Sequence, residues 1–154
     1  MMEAWRHPSI DILTYAEVEK VGGYVGNFTA TVRKKARYVV ESECTACGDC
    51  TDICPSVTAA EFQFGLGTRK AIYIPFPQAV PSAYTIDMDS CLGNNPIACG
   101  KCQDVCEKKC IDFDMEDEIL ELDVGAIVVA TGMETFDPSG IEEYGYGKIP
   151  DVLT

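Results

Sequence analysis

The chain has 154 residues, which is enough for one domain with its own hydrophobic core or for two small domains. Its formal net charge of −13, from 25 acidic and 12 basic side chains, repels nucleic acid and attracts basic proteins. The longest apolar stretch, Val124 to Gly132, is far shorter than the roughly 20 residues of a transmembrane helix. We therefore expect no nucleic-acid partner and no membrane span.

The nine cysteines are the most informative feature of the composition. An odd number argues against a closed disulfide framework. The first six residues, Met1 to Arg6, lack the apolar core of a secretory signal. We therefore expect a cytoplasmic protein whose thiols bind metal rather than form disulfides.

Residues 1–36 contain no cysteine and have a strand-like pattern. Apolar and polar residues alternate from Ile10 to Thr14, which predicts one short strand. Two longer strands are predicted at 17–25 and 27–35, on either side of a glycine-rich turn, because apolar residues recur there at period two. The segment is therefore predicted to be β-structure without a cysteine ligand.

Residues 37–115 hold all nine cysteines, in two clusters separated by a long connection. Within the connection, 69–77 is predicted to be part strand and part loop stiffened by proline, and 83–87 is a further predicted strand. The connection gives this region more backbone than two cysteine motifs need.

Residues 116–154 again contain no cysteine. Alternation predicts a strand at 118–124, and the apolar run 125–130 is typical of a strand buried on both faces of a sheet. The run ends in the small residues 130–132, which would let the backbone approach a cofactor closely, although an ordinary core strand explains the pattern equally well. The Gly- and Pro-rich remainder predicts loop.

The first cluster of cysteines reads Cys44-x2-Cys47-x2-Cys50-x3-Cys54-Pro55, which is the spacing of bacterial ferredoxins that bind 4Fe–4S clusters. Two intervening residues let a tight loop bring three sulfurs to three corners of one cluster, and Gly48 supplies backbone freedom beside it. The fourth cysteine points away from its own loop and, in two-cluster proteins, ligates the other cluster.

The second cluster of cysteines reads Cys91-x7-Cys99-x2-Cys102-x3-Cys106-x3-Cys110. Its middle part matches the same template, although the first spacer is longer and no proline follows Cys106. The ferredoxin rule then assigns the ligands crosswise. Cluster one takes Cys44, Cys47, Cys50 and Cys106, and cluster two takes Cys91, Cys99, Cys102 and Cys54.

Zinc is the main alternative to iron and sulfide at these cysteines. A zinc site would use two C-x2-C pairs, such as Cys44/Cys47 with Cys99/Cys102, and would leave five thiols unexplained. Cys110 is left over in the crosswise scheme. If 102–110 is helical, Cys110 shares a face with two ligands and is either an alternative ligand or a small buried residue.

Several other stretches together resemble the HdrA family, the A-type subunits of heterodisulfide reductases. They are His7-Pro8-Ser9-Ile10, Leu13-Thr14-Tyr15, Gly22-Gly23-Tyr24-Val25-Gly26-Asn27-Phe28, Ile74-Pro75-Phe76-Pro77-Gln78-Ala79-Val80-Pro81, and Gly125 to Gly132 with Phe136-Asp137-Pro138. The resemblance covers nearly the whole chain. These stretches are its family-specific part, because the ferredoxin motifs are generic.

In that family, an FAD-binding flavoprotein similar to thioredoxin reductase carries an inserted ferredoxin domain. The resemblance therefore implies an α+β fold in which a ferredoxin-like domain with two 4Fe–4S clusters, residues 37–115, is inserted in a β-meander. Flavoprotein segments 1–36 and 116–154 would form the meander, with the insert between its second and third strands. By similarity, FAD in the full-length protein would be lined by Val18, Ala130, Thr131 and Gly132.

The resemblance also implies a function and partners. The two clusters would relay single electrons between a flavin in the full-length protein and partner iron–sulfur proteins. The expected partners are other subunits of a heterodisulfide reductase-type complex and electron donors of the ferredoxin or hydrogenase type. The family's first glycine-rich dinucleotide loop should precede residue 1, so this piece of an oxidoreductase subunit is not expected to be catalytic alone.

Two competing hypotheses remain open from the sequence. The chain could itself retain flavin and act as an enzyme module, which a flavin absorbance band surviving desalting would indicate. Alternatively, the clusters could be redox-silent and serve only to stabilise the fold.

Overall fold

The computed structural model describes residues 2–93, 98–132 and 134–152, and it is a mixture of short helices and antiparallel strands. The helices are α1 (Met2–Arg6), α2 (Asp49–Ile53) and α3 (Lys101–Val105). The strands are β1 (Ala16–Tyr24), β2 (Asn27–Lys34), β3 (Val57–Ala59), β4 (Thr68–Lys70), β5 (Ile72–Tyr73), β6 (Thr85–Ile86) and β7 (Glu118–Val124). Short 3-10 turns lie at Glu61–Gln63, Pro138–Gly140 and Glu142–Tyr144. Every helix in these ranges is too short or too polar to cross a membrane.

The three longest strands form one antiparallel sheet in the order β1–β2–β7. Phe28 on β2 pairs with Val124 and Lys34 pairs with Glu118, so β7 returns along nearly the full length of β2. Ala30 and Val32 on the central strand are buried, as the period-two pattern predicted. The sheet is the predicted meander, with the cysteine-bearing segment between its second and third strands.

The hairpin between β1 and β2 depends on glycine. Tyr24 pairs with Asn27 across a tight turn, and Gly23 has a φ of 93°, in the left-handed region that favours glycine. A Cβ at Gly23 would overlap the carbonyl oxygen of Asn27. At the neighbouring Gly22, a Cβ would meet nothing within 4 Å.

The intervening segment contains short ladders around a small core. β3 pairs with β4, β5 pairs with β6, and Val39 forms an isolated antiparallel bridge with Ile111. The buried side chains of this core are Val39, Cys50, Ile72, Ile86, Cys110 and Ile111. Cysteine side chains are thus part of the core itself. The boundaries 37 and 115 of an inserted domain stay a prediction.

Two predicted strands are wrong. Residues 10–14 have no regular secondary structure. The apolar run 125–130 is not a strand either, and Val128 and Val129 are 87% and 79% exposed. The ladder ends where the Gly26 amide donates to the Gly125 carbonyl oxygen, 3.1 Å away. Beyond that point no neighbouring strand in the described residues pairs with the run, and apolar sequence alone does not make a strand. The strand predicted at 83–87 is confirmed only at Thr85–Ile86.

The matched glycines Gly22 and Gly23 test the hairpin. We expect Gly23→Ala to lower the free energy of unfolding by roughly 1–3 kcal/mol, because the new Cβ is strained at positive φ and overlaps the facing strand. Gly22→Ala should change it by less than about 0.5 kcal/mol. Urea unfolding followed by circular dichroism measures both, and equal losses for the two variants would contradict the described turn.

Candidate metal centre

The two cysteine motifs fold in the same way around two short helices. α2 begins after Gly48 (φ 102°) and α3 begins after Gly100 (φ 69°), both in the left-handed conformation. Each helix carries a cysteine as its second residue, Cys50 or Cys102. Each helix also ends at a cysteine with extended backbone, Cys54 or Cys106, which directs the chain away from the helix. The structure thus repeats one loop–helix unit twice.

A first group of thiols gathers around Cys50. Burial raises the pKa of Cys50 to about 12, and the neighbouring Cys44 and Cys47 raise it further. On the other side, the Cys110 sulfur lies 3.5 Å from the sulfur of Cys106, and Cys44 is near enough to add to the rise in the Cys110 pKa that burial causes. We call these five residues, Cys44, Cys47, Cys50, Cys106 and Cys110, the first group.

Within the first group, the pKa values of Cys106 and Cys110 are shifted in opposite directions. Burial raises the pKa of Cys110 to about 12, helped by the hydrogen bond with Cys106. Burial also opposes ionisation of Cys106, but the Cys110 amide and thiol hydrogen-bond to it and hold its pKa below the ordinary value. Cys110 is only 5% exposed and its carbonyl oxygen accepts from the Val40 amide at 2.7 Å, so it occupies a core position beside a ligand candidate.

A second group of thiols lines one cavity between the two motifs. Its members are Cys54, Cys91, Cys99 and Cys102. Burial raises the pKa of Cys102 to about 11, and Cys91 and then Cys54 raise it further through their charges. The Gly93 amide donates to the Cys91 sulfur at 3.4 Å. These are the four cysteines that the sequence assigned to cluster two.

The crossing of the motifs is therefore present in the geometry. Cys54, from the first motif, lies with Cys91, Cys99 and Cys102, and Cys106, from the second motif, lies beside Cys110, which in turn is near Cys44 of the first motif. The alternative zinc pairing would join Cys44 and Cys47 to Cys99 and Cys102, and these pairs belong to different groups. Among the described residues, no three or more His, Cys, Asp or Glu side chains converge on a single ion.

The donor set fits 4Fe–4S clusters chemically. Each iron of such a cluster takes one thiolate, so the four thiolates surround a space rather than meet at one point. Thiols with raised pKa values resist ionisation as long as they face only one another, because burial and neighbouring negative charge both oppose it. A positively charged metal centre removes that cost, since metal binding and thiol deprotonation are coupled.

Several neighbours of the cysteines could not be found from sequence spacing. The Lys70 ammonium donates to the Cys54 carbonyl oxygen at 2.8 Å, and the Thr51 hydroxyl donates to the Ile72 carbonyl oxygen at 2.9 Å. The Tyr84 hydroxyl lies above Gly48, where it would be 3.7 Å from an added Cβ. Lys70 and Tyr84 come from the long connection, so only the folded chain brings them to the motifs.

An ion-pair network fixes the loop that leads to Cys91. The Asp87 carboxylate accepts from the Ser90 hydroxyl at 2.8 Å and from the Asp89 amide at 3.1 Å. Arg69 pairs with Asp87 at 2.9 Å and its guanidinium lies 3.8 Å from the centre of the Tyr73 ring. Such hydrogen-bonded support orients ligand residues.

The residues assigned to FAD lie in the flanking segments. Val18 is on β1, pairs with Val32 and is 63% exposed. The backbone from Ala130 to Gly132 has no regular secondary structure and is exposed, and a Cβ at Gly132 would meet nothing within 4 Å. These residues by themselves form no cradle around a flavin, so their assignment stays a prediction about a longer protein.

No protein-family model matches the chain. Over all of its 154 residues it is 53% identical to the first of two A-type iron–sulfur subunits of CoB–CoM heterodisulfide reductase in Methanopyrus kandleri, and it covers 23% of that protein. It is 49% identical to the A-type iron–sulfur subunit of the CoB–CoM heterodisulfide reductase of Methanocaldococcus jannaschii, again over 23% of that protein. With the A-type subunit of ferredoxin:CoB–CoM heterodisulfide reductase of Methanosarcina acetivorans it shares 51% identity over 19% of that length.

The predicted resemblance is confirmed by these alignments, which cover the whole chain and about a fifth of each relative. Identity of this extent along all 154 residues shows that the chain belongs to the HdrA family of heterodisulfide reductase subunits.

Proposed function

We propose that the chain is an electron carrier that holds two 4Fe–4S clusters, in a ferredoxin-like domain at residues 37–115. The observation that supports this most directly is the crossing of Cys54 and Cys106 between the two thiol groups. A crossed fourth ligand is what ferredoxins with two clusters use. The clusters, when bound, accept and release single electrons.

The chain's own residues would hold and tune those clusters. Cys44, Cys47, Cys50 and Cys106 are the proposed ligands of cluster one. Cys91, Cys99, Cys102 and Cys54 are the proposed ligands of cluster two. Backbone amides beside the sulfurs, such as that of Gly93, donate hydrogen bonds that stabilise the extra negative charge of a reduced centre. The apolar side chains of the core, including Ile72 and Ile86, pack against most of the thiols and limit their contact with water, although Cys47 is exposed.

We extend the proposal to the longer protein in which the relatives contain this segment. The relatives are named as iron–sulfur or ferredoxin-linked subunits of heterodisulfide reductases. We infer that the segment passes electrons between a flavin and partner iron–sulfur proteins in a complex of that type, in the cytoplasm. Donors of the ferredoxin or hydrogenase type would supply the electrons. Val18, Ala130, Thr131 and Gly132 would line FAD there, and the exposed apolar side chains of β1 and of 125–130 are available for such burial.

Paired cysteine substitutions test the crossed ligand assignment. The chain purified without oxygen should contain about eight iron and eight acid-labile sulfide atoms. Because Cys47 and Cys106 are assigned to the same cluster, Cys47→Ser/Cys106→Ser should keep about four iron atoms. Cys47→Ser/Cys54→Ser removes one ligand from each cluster and should keep almost none.

The uncrossed assignment predicts the reverse order for these two double variants, so iron analysis with EPR of the reduced protein decides between them. The matched control is Cys54→Ser/Cys91→Ser, which should again keep about four iron atoms because both residues belong to cluster two. Zinc in place of iron and sulfide in the parent chain would overturn the proposed function.

Cys110 is expected to be a buried neighbour of cluster one rather than a ligand. It lies in the core with Val39 and Ile111, and its backbone is fixed by the hydrogen bond from Val40. We expect Cys110→Ala to keep about eight iron atoms, whereas Cys106→Ala loses about four. Iron and sulfide analysis of the two variants in parallel checks this, and a loss of four iron atoms from Cys110→Ala would make Cys110 the ligand.

A further inference from the structure

The surroundings of the two thiol groups differ in charge. β4 ends at Lys70, whose ammonium donates to the Cys54 carbonyl oxygen at 2.8 Å. Lys70 is partly buried, and its backbone is held by pairing with Val57 in the hairpin that directly follows Cys54-Pro55-Ser56. The β3–β4 hairpin thus brings a fixed positive charge to a residue of the second group.

A second difference lies at equivalent positions of the two motifs. Cys99-Gly100-Lys101-Cys102 corresponds to Cys47-Gly48-Asp49-Cys50, so α3 begins with a cation where α2 begins with an anion. Lys101 lines the cavity of the second group. Each helix carries one further aspartate at the same position, Asp52 or Asp104, and these two charges do not distinguish the groups.

Other charges near the motifs weigh less. Asp87, which precedes the Cys91 loop, is compensated by Arg69 at 2.9 Å. Lys108 and Lys109 follow Cys106, but they are exposed, and water and salt screen an exposed charge strongly. Lys70 is held against the backbone and partly out of water, so its field is screened less.

The chemical consequence follows from the sign of the charge. A cluster becomes more negative by one charge when it takes up an electron, so a nearby cation stabilises the reduced form and a nearby anion destabilises it. Lys70 and Lys101 therefore favour reduction at the second group, and Asp49 disfavours reduction at the first group.

We propose that Lys70, assisted by Lys101, makes the cluster held by Cys54, Cys91, Cys99 and Cys102 the more easily reduced of the two. This inference rests on the proposed two-cluster function and ranks the two sites by their affinity for an electron. An electron from a one-electron donor occupies the second site in preference to the first, and any acceptor that contacts the second site receives it from there.

The test uses variants that keep one cluster each. Cys47→Ser/Cys106→Ser should retain only the second site, and Cys54→Ser/Cys91→Ser only the first. In anaerobic redox titrations followed by EPR, with dithionite as reductant, the variant with the second site should show the more positive midpoint potential. Equal potentials, or the opposite order, would overturn the inference.

Charge substitutions then identify the cause. In the variant with the second site, Lys70→Gln and Lys70→Met should move the midpoint potential to a more negative value. Lys70→Arg should leave the potential close to that of Lys70, because it keeps the charge. Lys101→Gln should give a smaller negative shift that shrinks at high salt, since Lys101 is exposed. In the variant with the first site, Asp49→Asn should move the potential to a more positive value.

Iron analysis separates the two levels of failure. If the single-site variants hold about four iron atoms and Lys70→Gln leaves the potential unchanged, the role of Lys70 is wrong while the two-cluster carrier stands. If the parent chain assembles no iron–sulfur cluster, the proposed function fails and the inference fails with it. In the full chain at full iron content, Lys70→Gln should shift the more positive of the two midpoint potentials. A shift of only the more negative one would contradict the inference.

Discussion

The constraint on which the rest of the structure depends is the exchange of one cysteine between two equivalent loop–helix units. Cys54 follows α2 and lines the cavity of Cys91, Cys99 and Cys102, whereas Cys106 follows α3 and lies beside Cys110, which is near Cys44. Neither unit can complete its group of thiols without the other. The segment between the motifs has ladders of only two or three residues, so the proposed clusters would add much of its cohesion.

Short strands and an isolated bridge surround the thiols. The bridge of Val39 with Ile111 and the pairing of Ile72 with Ile86 place apolar side chains on the buried cysteines. The β3–β4 hairpin adds charge, because it brings Lys70 to the Cys54 carbonyl oxygen. The long connection between the motifs, which exceeds what the cysteine motifs require, thereby contributes groups that can distinguish two otherwise similar sites.

The β1–β2–β7 sheet has a different role from the cysteine-bearing segment. It pairs β2, which precedes the cysteine motifs, with β7, which follows them. Apolar side chains of β1 such as Val21 and Tyr24 are exposed. Exposed apolar side chains of this kind are available for contact with other protein. The chain matches about a fifth of the length of its relatives.

The sequence by itself determined the meander strands and the two cysteine motifs. Period-two alternation on β2 and the C-x2-C-x2-C-x3-C spacing are local patterns, and local patterns reflect local backbone geometry. The prediction from sequence was wrong at 125–130, where an apolar run indicated a buried strand. A strand needs a partner strand that supplies its hydrogen bonds, and apolar sequence does not provide one.

Only the tertiary structure decided what surrounds the thiols. The contact of Lys70 with Cys54, the position of Tyr84 above Gly48, and the core placement of Cys110 all join residues from separate parts of the chain. No spacing rule encodes them, because they depend on how the connection folds back over the motifs. The candidate ligands could therefore be predicted from the sequence, whereas the charge and burial around their sulfur atoms depend on tertiary packing.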